Sequence, residues 1–210
     1  RQMRSIRVLA GLLVLVVIVG AGFVYSGAYD IAASSAEPGW RAHIFETVKD
    51  RAIDKRVPTV PPPPPLDDAQ MIRTGLIHFS EMCVVCHGAP GVPMSEIGKG
   101  LNPDPPNLSM EGEEQSPSRL FWVLKNGIKM SGMPAFGPTH SDAQIWAIVA
   151  FLKRLPKLDE QQYAAMLREA GIGASPAGRE PEHGPGPAAG QAQPGQPQPA
   201  QPPQAPPGPH

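Results

Sequence analysis

Charge of neither sign dominates the 210-residue chain: Lys and Arg number 18, Asp and Glu 19, and the formal net charge is −1. Without a basic field, nucleic acid is excluded as a partner. Cysteine is almost absent. The two present, Cys83 and Cys86, stand too close together to staple a fold, which excludes a disulfide scaffold. With no further cysteine, a zinc site is short of ligands at sensible spacing. Charged residues amount to 18%, against about 25% in average domains. Convincing strand alternation is missing, as are a catalytic triad, a phosphate-binding loop and a carboxylate pair. The chain therefore reads as mostly α, with no hydrolytic or phosphoryl-transfer chemistry to assign.

What is abundant is proline, with 28 residues, more than twice the ~5% of average usage. A compact domain cannot absorb that much, so part of the chain is linker or tail. Arg1, Arg4 and Arg7 precede an uncharged run from Val8 to Tyr29. A helix of about 20 apolar residues spans a bilayer, and the flanking arginines hold that end in the cytoplasm. Residues 1–29 read as a retained transmembrane anchor; a cleaved signal peptide is the alternative, with Ser26-Gly27-Ala28 as the processing site. Both readings export everything that follows.

Residues 30–57 form a juxtamembrane segment. Within it, 38–57 is expected as an amphipathic helix with Trp40, Ile44, Val48 and Ala52 at four-residue spacing and Phe45 and Ile53 alongside. Such a helix can lie at the lipid interface, dock on a partner subunit or pack on its own domain. Residues 58–66, with Pro61 to Pro65, read as a stiff polyproline spacer. Residues 67–157 are the candidate globular domain, followed by a short helix within 158–173. From Ala174 to His210 almost everything is Pro, Gly, Gln or Ala, a composition that cannot offset its ordering entropy, so a disordered tail is expected. A domain of about ninety residues has a thin core and usually relies on a metal, disulfide or cofactor.

Cys83-Val84-Val85-Cys86-His87 supplies one. C-x-x-C-H is the attachment motif for c-type haem: the two thiols bond the porphyrin and the adjacent histidine ligates iron. A thioredoxin-like C-x-x-C needs a βαβ surround, and this pair follows a helical pattern instead.

Around the motif, Gly75-x-x-x-Phe79-x-x-x-Cys83-x-x-Cys86-His87-Gly88 resembles the class I cytochromes c, of the membrane-anchored monohaem bacterial type. The resemblance covers residues 67 to 157. It implies the class I cytochrome c fold and one covalent haem c on Cys83 and Cys86, with His87 as an axial ligand. It also implies a crossing of the first and last helices at Gly75, filled by Trp146 or Phe151, where the last helix (141–155) opens on the capping box Ser141-Asp142-Ala143-Gln144. Gly132-Met133-Pro134 looks like the family's methionine loop and makes Met133 the second iron ligand. Met130 is its rival, ahead of Met82, Met94 and Met110; a bis-histidine haem would draw on His78 or His140. Pro106-Asn107-Leu108 resembles the segment whose proline carbonyl orients the haem histidine and whose leucine covers the porphyrin, with Pro105 next in line. Trp122, on a short helix from Ser118 to Asn126, is placed near the haem, and Lys125 and Lys129 are candidate docking charges.

The function so implied is one-electron transfer by a membrane-tethered protein, an electron carrier or electron-transfer subunit rather than a free-standing enzyme. Its partners would be a dehydrogenase or quinol-oxidising complex as donor and a terminal oxidase or other cytochrome as acceptor. It would sit in the bacterial inner (cytoplasmic) membrane with the haem domain on the periplasmic side, in a respiratory chain. The alternative is a gas-binding or catalytic haem protein with a labile sixth ligand.

Overall fold

The computed structural model describes residues 2–35 and 38–173. These fall in one unit; the expected tail, residues 174–210, lies outside the described residues. Among the described residues there is no strand, only an isolated bridge between Ala89 and Val92.

The apolar run forms α1 (Gln2–Tyr25), the one described helix long and apolar enough to cross a membrane. At 1.5 Å per residue its 24 residues measure about 36 Å, slightly more than a hydrocarbon core. None of its residues is buried. After it comes α2 (Gly39–Asp54), shorter at both ends than the 38–57 pattern suggests. It stops because Val57-Pro58-Thr59 forms a 3-10 turn, and Pro58 cannot continue an α-helix. Val60 and Leu66, on either side of Pro61–Pro65, both pack against the core.

The domain's first helix, α3 (Ala69–Met82), begins at Asp68, whose carboxylate accepts the Met71 N–H at 2.7 Å. Three single turns follow: α4 (Val84–His87), α5 (Glu96–Lys99) and α6 (Leu108–Glu111). Ser116 then caps α7 (Pro117–Asn126), with Pro117 in the first turn where its missing N–H costs nothing. The expected capping box is present at the start of α8 (Asp142–Arg154): Ser141 and Gln144 each bond the other's backbone N–H. A second box, Asp159 with Gln162, opens α9 (Glu160–Glu169).

The core forms where α3, α7 and α8 meet. Phe79, Phe121 and Phe151 are fully buried, and truncating any one of them should cost about 3–5 kcal/mol. α3 and α8 cross at Gly75, where a Cβ would lie 1.9 Å from the Ala147 carbonyl oxygen and 2.8 Å from the Phe151 Cβ. Phe151, not Trp146, occupies this crossing, its ring centroid 5.1 Å from that of Phe79. Trp146 stacks on Phe121 instead, at 4.2 Å and 23°.

Candidate functional site

One cavity of about 1070 Å³ opens among these helices, just above the ~300–1,000 Å³ typical of ligand clefts. Cys83 is the junction between α3 and α4, capping the end of one and the start of the other. In that single turn the amides of Cys86 and His87 both donate to the Cys83 carbonyl, at 3.1 and 2.9 Å. A turn of this kind gathers residues three and four apart on one side. Cys83, Cys86 and His87 all line the cavity. Cys83 is buried, and desolvation, with Cys86 beside it, pushes its thiol up to about 12, so the sulfur stays neutral. Cys86 is half-buried and, like Cys83, in no disulfide.

His87 Nδ1 lies 2.8 Å from the Pro106 carbonyl oxygen. A carbonyl only accepts, so Nδ1 carries the hydrogen and Nε2 keeps its lone pair. Burial lowers the His87 pKa, opposed by the Pro106 hydrogen bond and by Glu111. The ring is therefore a neutral, oriented imidazole whose free nitrogen is a metal donor.

The methionine loop is held along the C-terminal end of α7, where helix carbonyls lack intrahelical partners. Phe136 N–H donates to Leu124 O and Gly137 N–H to Lys125 O, each at 3.0 Å. Gly127 ends α7 at φ +64°, and a Cβ there would strike Pro134 and Ala135 backbone at 2.7 Å. Ile128 N–H closes the loop on Met133 O at 3.1 Å. Met133 consequently lines the cavity and packs against the core. Met130, at φ 59°, is 88% exposed and not on the cavity. Met82 also touches the cavity, from the segment that carries the cysteines, whereas Met94, Met110, His78 and His140 do not. His78 and His140 meet edge to face at 5.2 Å elsewhere.

Pro105, Pro106 and Leu108 all line the cavity, but the hydrogen bond to His87 comes from Pro106. Trp122 is not among the lining residues: α7 turns Leu120, Val123 and Leu124 to the cavity, and Trp122 is half-buried away from it. Lys125 is engaged within the chain by Asp142 at 2.6 Å, while Lys129 is exposed.

Two long-range contacts carry no local sequence signal, and one of them fixes α2 on its own domain, one of the three placements expected for it. Lys153 Nζ donates to the carbonyls of Gly112, Glu113 and Gln115 at 3.3, 2.6 and 3.0 Å, tying the α6–α7 connection to α8. On the other side, α2 forms part of the cavity wall through Phe45, Lys49 and Ile53. It is clamped there by Arg119, whose two terminal nitrogens each lie 2.6 Å from a carboxylate oxygen, of Asp50 and of Asp54. The packed stripe is thus offset by one residue from the expected one. Ile53 is 3% exposed, but Trp40, Ile44 and Val48 remain 67%, 53% and 62% exposed. The spacing from Phe45 to Ile53 was visible in the sequence; its partner Arg119 was not.

The residues fit a haem: the two thiols of Cys83 and Cys86, the His87 imidazole with its Nε2 lone pair free and the Met133 thioether share one largely apolar cavity. Residues 70–152 match the family model described as cytochrome C oxidase, cbb3-type, subunit III. A search of curated proteins found no match. The matched segment runs from α3 through most of α8 and includes C-x-x-C-H, the Pro106 carbonyl and the methionine loop. It is a c-type cytochrome domain with the mostly helical cytochrome c fold, and its role is haem-based electron transfer.

Proposed function

We propose that this protein is a membrane-tethered carrier of single electrons, in which Cys83 and Cys86 would bond one haem and His87 and Met133 would hold its iron. The observation that carries the reading is the convergence of these four side chains on one cavity, with the Pro106 hydrogen bond leaving His87 Nε2 as the donor. Bound haem supplies a one-electron iron couple at a potential that a Met/His ligand pair raises. The chain's own contribution is positional. Pro106 fixes the His87 ring and keeps it electron-rich. The hydrogen bonds from Phe136 and Gly137 to the end of α7 hold the methionine loop against the cavity. Leu108, Leu120, Leu124 and Ile53 provide apolar walls that keep water away. With two protein ligands, no position stays open for a substrate, which favours electron transfer over gas binding.

The apolar helix α1 supports a membrane anchor, with Arg4 and Arg7 on the cytoplasmic side and the haem domain outside the cytoplasm. In a bacterium that places the domain in the periplasm, on the inner membrane. Tethering raises its effective concentration near membrane partners. Those partners are a dehydrogenase or quinol-oxidising complex as donor and a terminal oxidase as acceptor, in a respiratory chain. The likeness of residues 70–152 to an oxidase subunit is consistent with assembly into a larger redox complex.

The test is the optical spectrum of the reduced protein with and without carbon monoxide. An unchanged spectrum is expected from a closed six-coordinate haem. Rapid formation of a carbonyl complex would remove Met133 from its role and make gas binding or catalysis the leading function.

A further inference from the structure

We propose that the outward face of α2 rests on the membrane, in the headgroup region of the bilayer that α1 spans; this builds on the reading of α1 as an anchor. α2 has two unlike faces. Its inner face carries Phe45 and Ile53 to the cavity wall, and its acidic residues are spent there: Glu46 pairs with Lys49 at 2.7 Å, and Asp50 and Asp54 pair with Arg119. Its outer face carries Trp40, Ile44 and Val48, all more than half exposed. At 3.6 residues per turn these three fall within an arc of about 80°, and Arg51 and Lys55 project from the same arc. Both are exposed, and neither is in an ion pair among the described residues. The outer arc therefore combines an aromatic, two aliphatics and two cations, with no acid.

That chemistry matches a lipid headgroup layer with anionic members. Trp favours the interface, aliphatic side chains enter the acyl boundary, and each nearby Lys or Arg adds attraction to negative lipid. Covalent continuity favours lipid over a separate protein as the occupant. Only residues 26–38 separate α1 from α2, a reach of at most about 45 Å, so the face is held close to the bilayer. Because the inner face of the same helix walls the cavity, docking would fix the orientation of the electron-transfer site relative to the membrane.

The experiment uses full-length haem-loaded protein in lipid nanodiscs, some purely zwitterionic and some containing anionic lipid. Co-elution with the discs reports on α1. A nitroxide on Val48→Cys then reports on α2, through its collisions with oxygen against those with a water-soluble nickel chelate. A nitroxide on Gln161→Cys, on the exposed side of α9, is the water-facing control, and the protein lacking either added cysteine checks for stray labelling. Lipid-like accessibility at position 48 but not 161 is expected in anionic discs. Arg51→Gln combined with Lys55→Gln should lower the docked-to-undocked ratio roughly 30-fold, equivalent to about 2 kcal/mol at 1.4 kcal/mol per decade. Co-elution with a water-exposed label at 48, or protection that requires an added protein partner, would overturn the docking proposal while leaving the anchor intact. Failure to co-elute would overturn both.

Discussion

Replacing Gly75 by alanine adds a single carbon at the tightest point of the fold. That Cβ would sit 1.9 Å from the Ala147 carbonyl oxygen and 2.6 Å from its carbonyl carbon. Carbon and carbonyl oxygen settle at about 3.3–3.6 Å, so α3 and α8 must part by more than an ångström. The obstacle is backbone, which no rotamer change can move. Overpacking that side chains can partly absorb costs about 1–3 kcal/mol, so the Gly75→Ala cost should reach at least the top of that range. Alanine's better helix propensity returns about 1 kcal/mol, leaving a net loss of about 2 kcal/mol or more. For a domain of this size each kcal/mol lowers Tm by about 4–8 °C. Thermal unfolding of the haem-loaded protein, followed by helix circular dichroism, should therefore show Tm falling by roughly 8 °C or more. Gly39→Ala is the control, since nothing lies within 4 Å of that position, and its Tm should hold. Phe151→Ala should not rescue the double variant, because the nearest obstacle is the Ala147 backbone. A Gly75→Ala protein that melts within a degree or two of the parent would refute the argument that backbone contact at this crossing sets the geometry.

Two further outcomes follow from the site. Met133→Ala should lower the reduction potential by on the order of 100 mV, a fraction of the roughly 0.8 V that axial ligands command, and should let carbon monoxide bind; a redox titration showing an unchanged potential would remove the thioether from the iron. Arg119→Gln leaves Asp54 unpaired on α2 and Asp50 with only Lys49, at 4.0 Å. These are partly exposed pairs worth about 0.2–1 kcal/mol each, so amide exchange across residues 39–54 should quicken about fivefold, and unchanged protection would mean that Ile53 alone holds the helix.

Several features are local and could be read directly. The Ser141–Gln144 capping box works within one turn, so four residues suffice to place the start of α8. Cys83, Cys86 and His87 lie within one helical turn, so their gathering on one side of it needs nothing from the rest of the chain. Pro106 is a different case. It reaches His87 across nineteen positions, and its part was legible only because the surrounding Pro-Asn-Leu matched a known pattern; the choice between Pro105 and Pro106 rests on the hydrogen bond itself. Trp122 shows the limit. Its apolar character suits cavity and core equally, and only the rotation of α7 decides that Leu120, Val123 and Leu124 face the cavity while Trp122 does not.

The sequence by itself determined the short-range chemistry: the apolar length of α1, the helix caps and the motif turn. Each depends on neighbours within a few positions, where propensity and covalent geometry dominate. The tertiary structure alone decided which of two overlapping stripes on α2 would be buried. Trp40, Ile44 and Val48 are at least as apolar as Phe45, Lys49 and Ile53, so periodicity could not choose between them. The choice was made by Arg119, more than sixty positions away, whose guanidinium meets Asp50 and Asp54 only once α7 is packed. The same packing put Phe151 rather than Trp146 at the Gly75 crossing and freed Trp146 to stack on Phe121. A residue's partners at such separations are set by how helices cross, and crossing is a property of the assembled core.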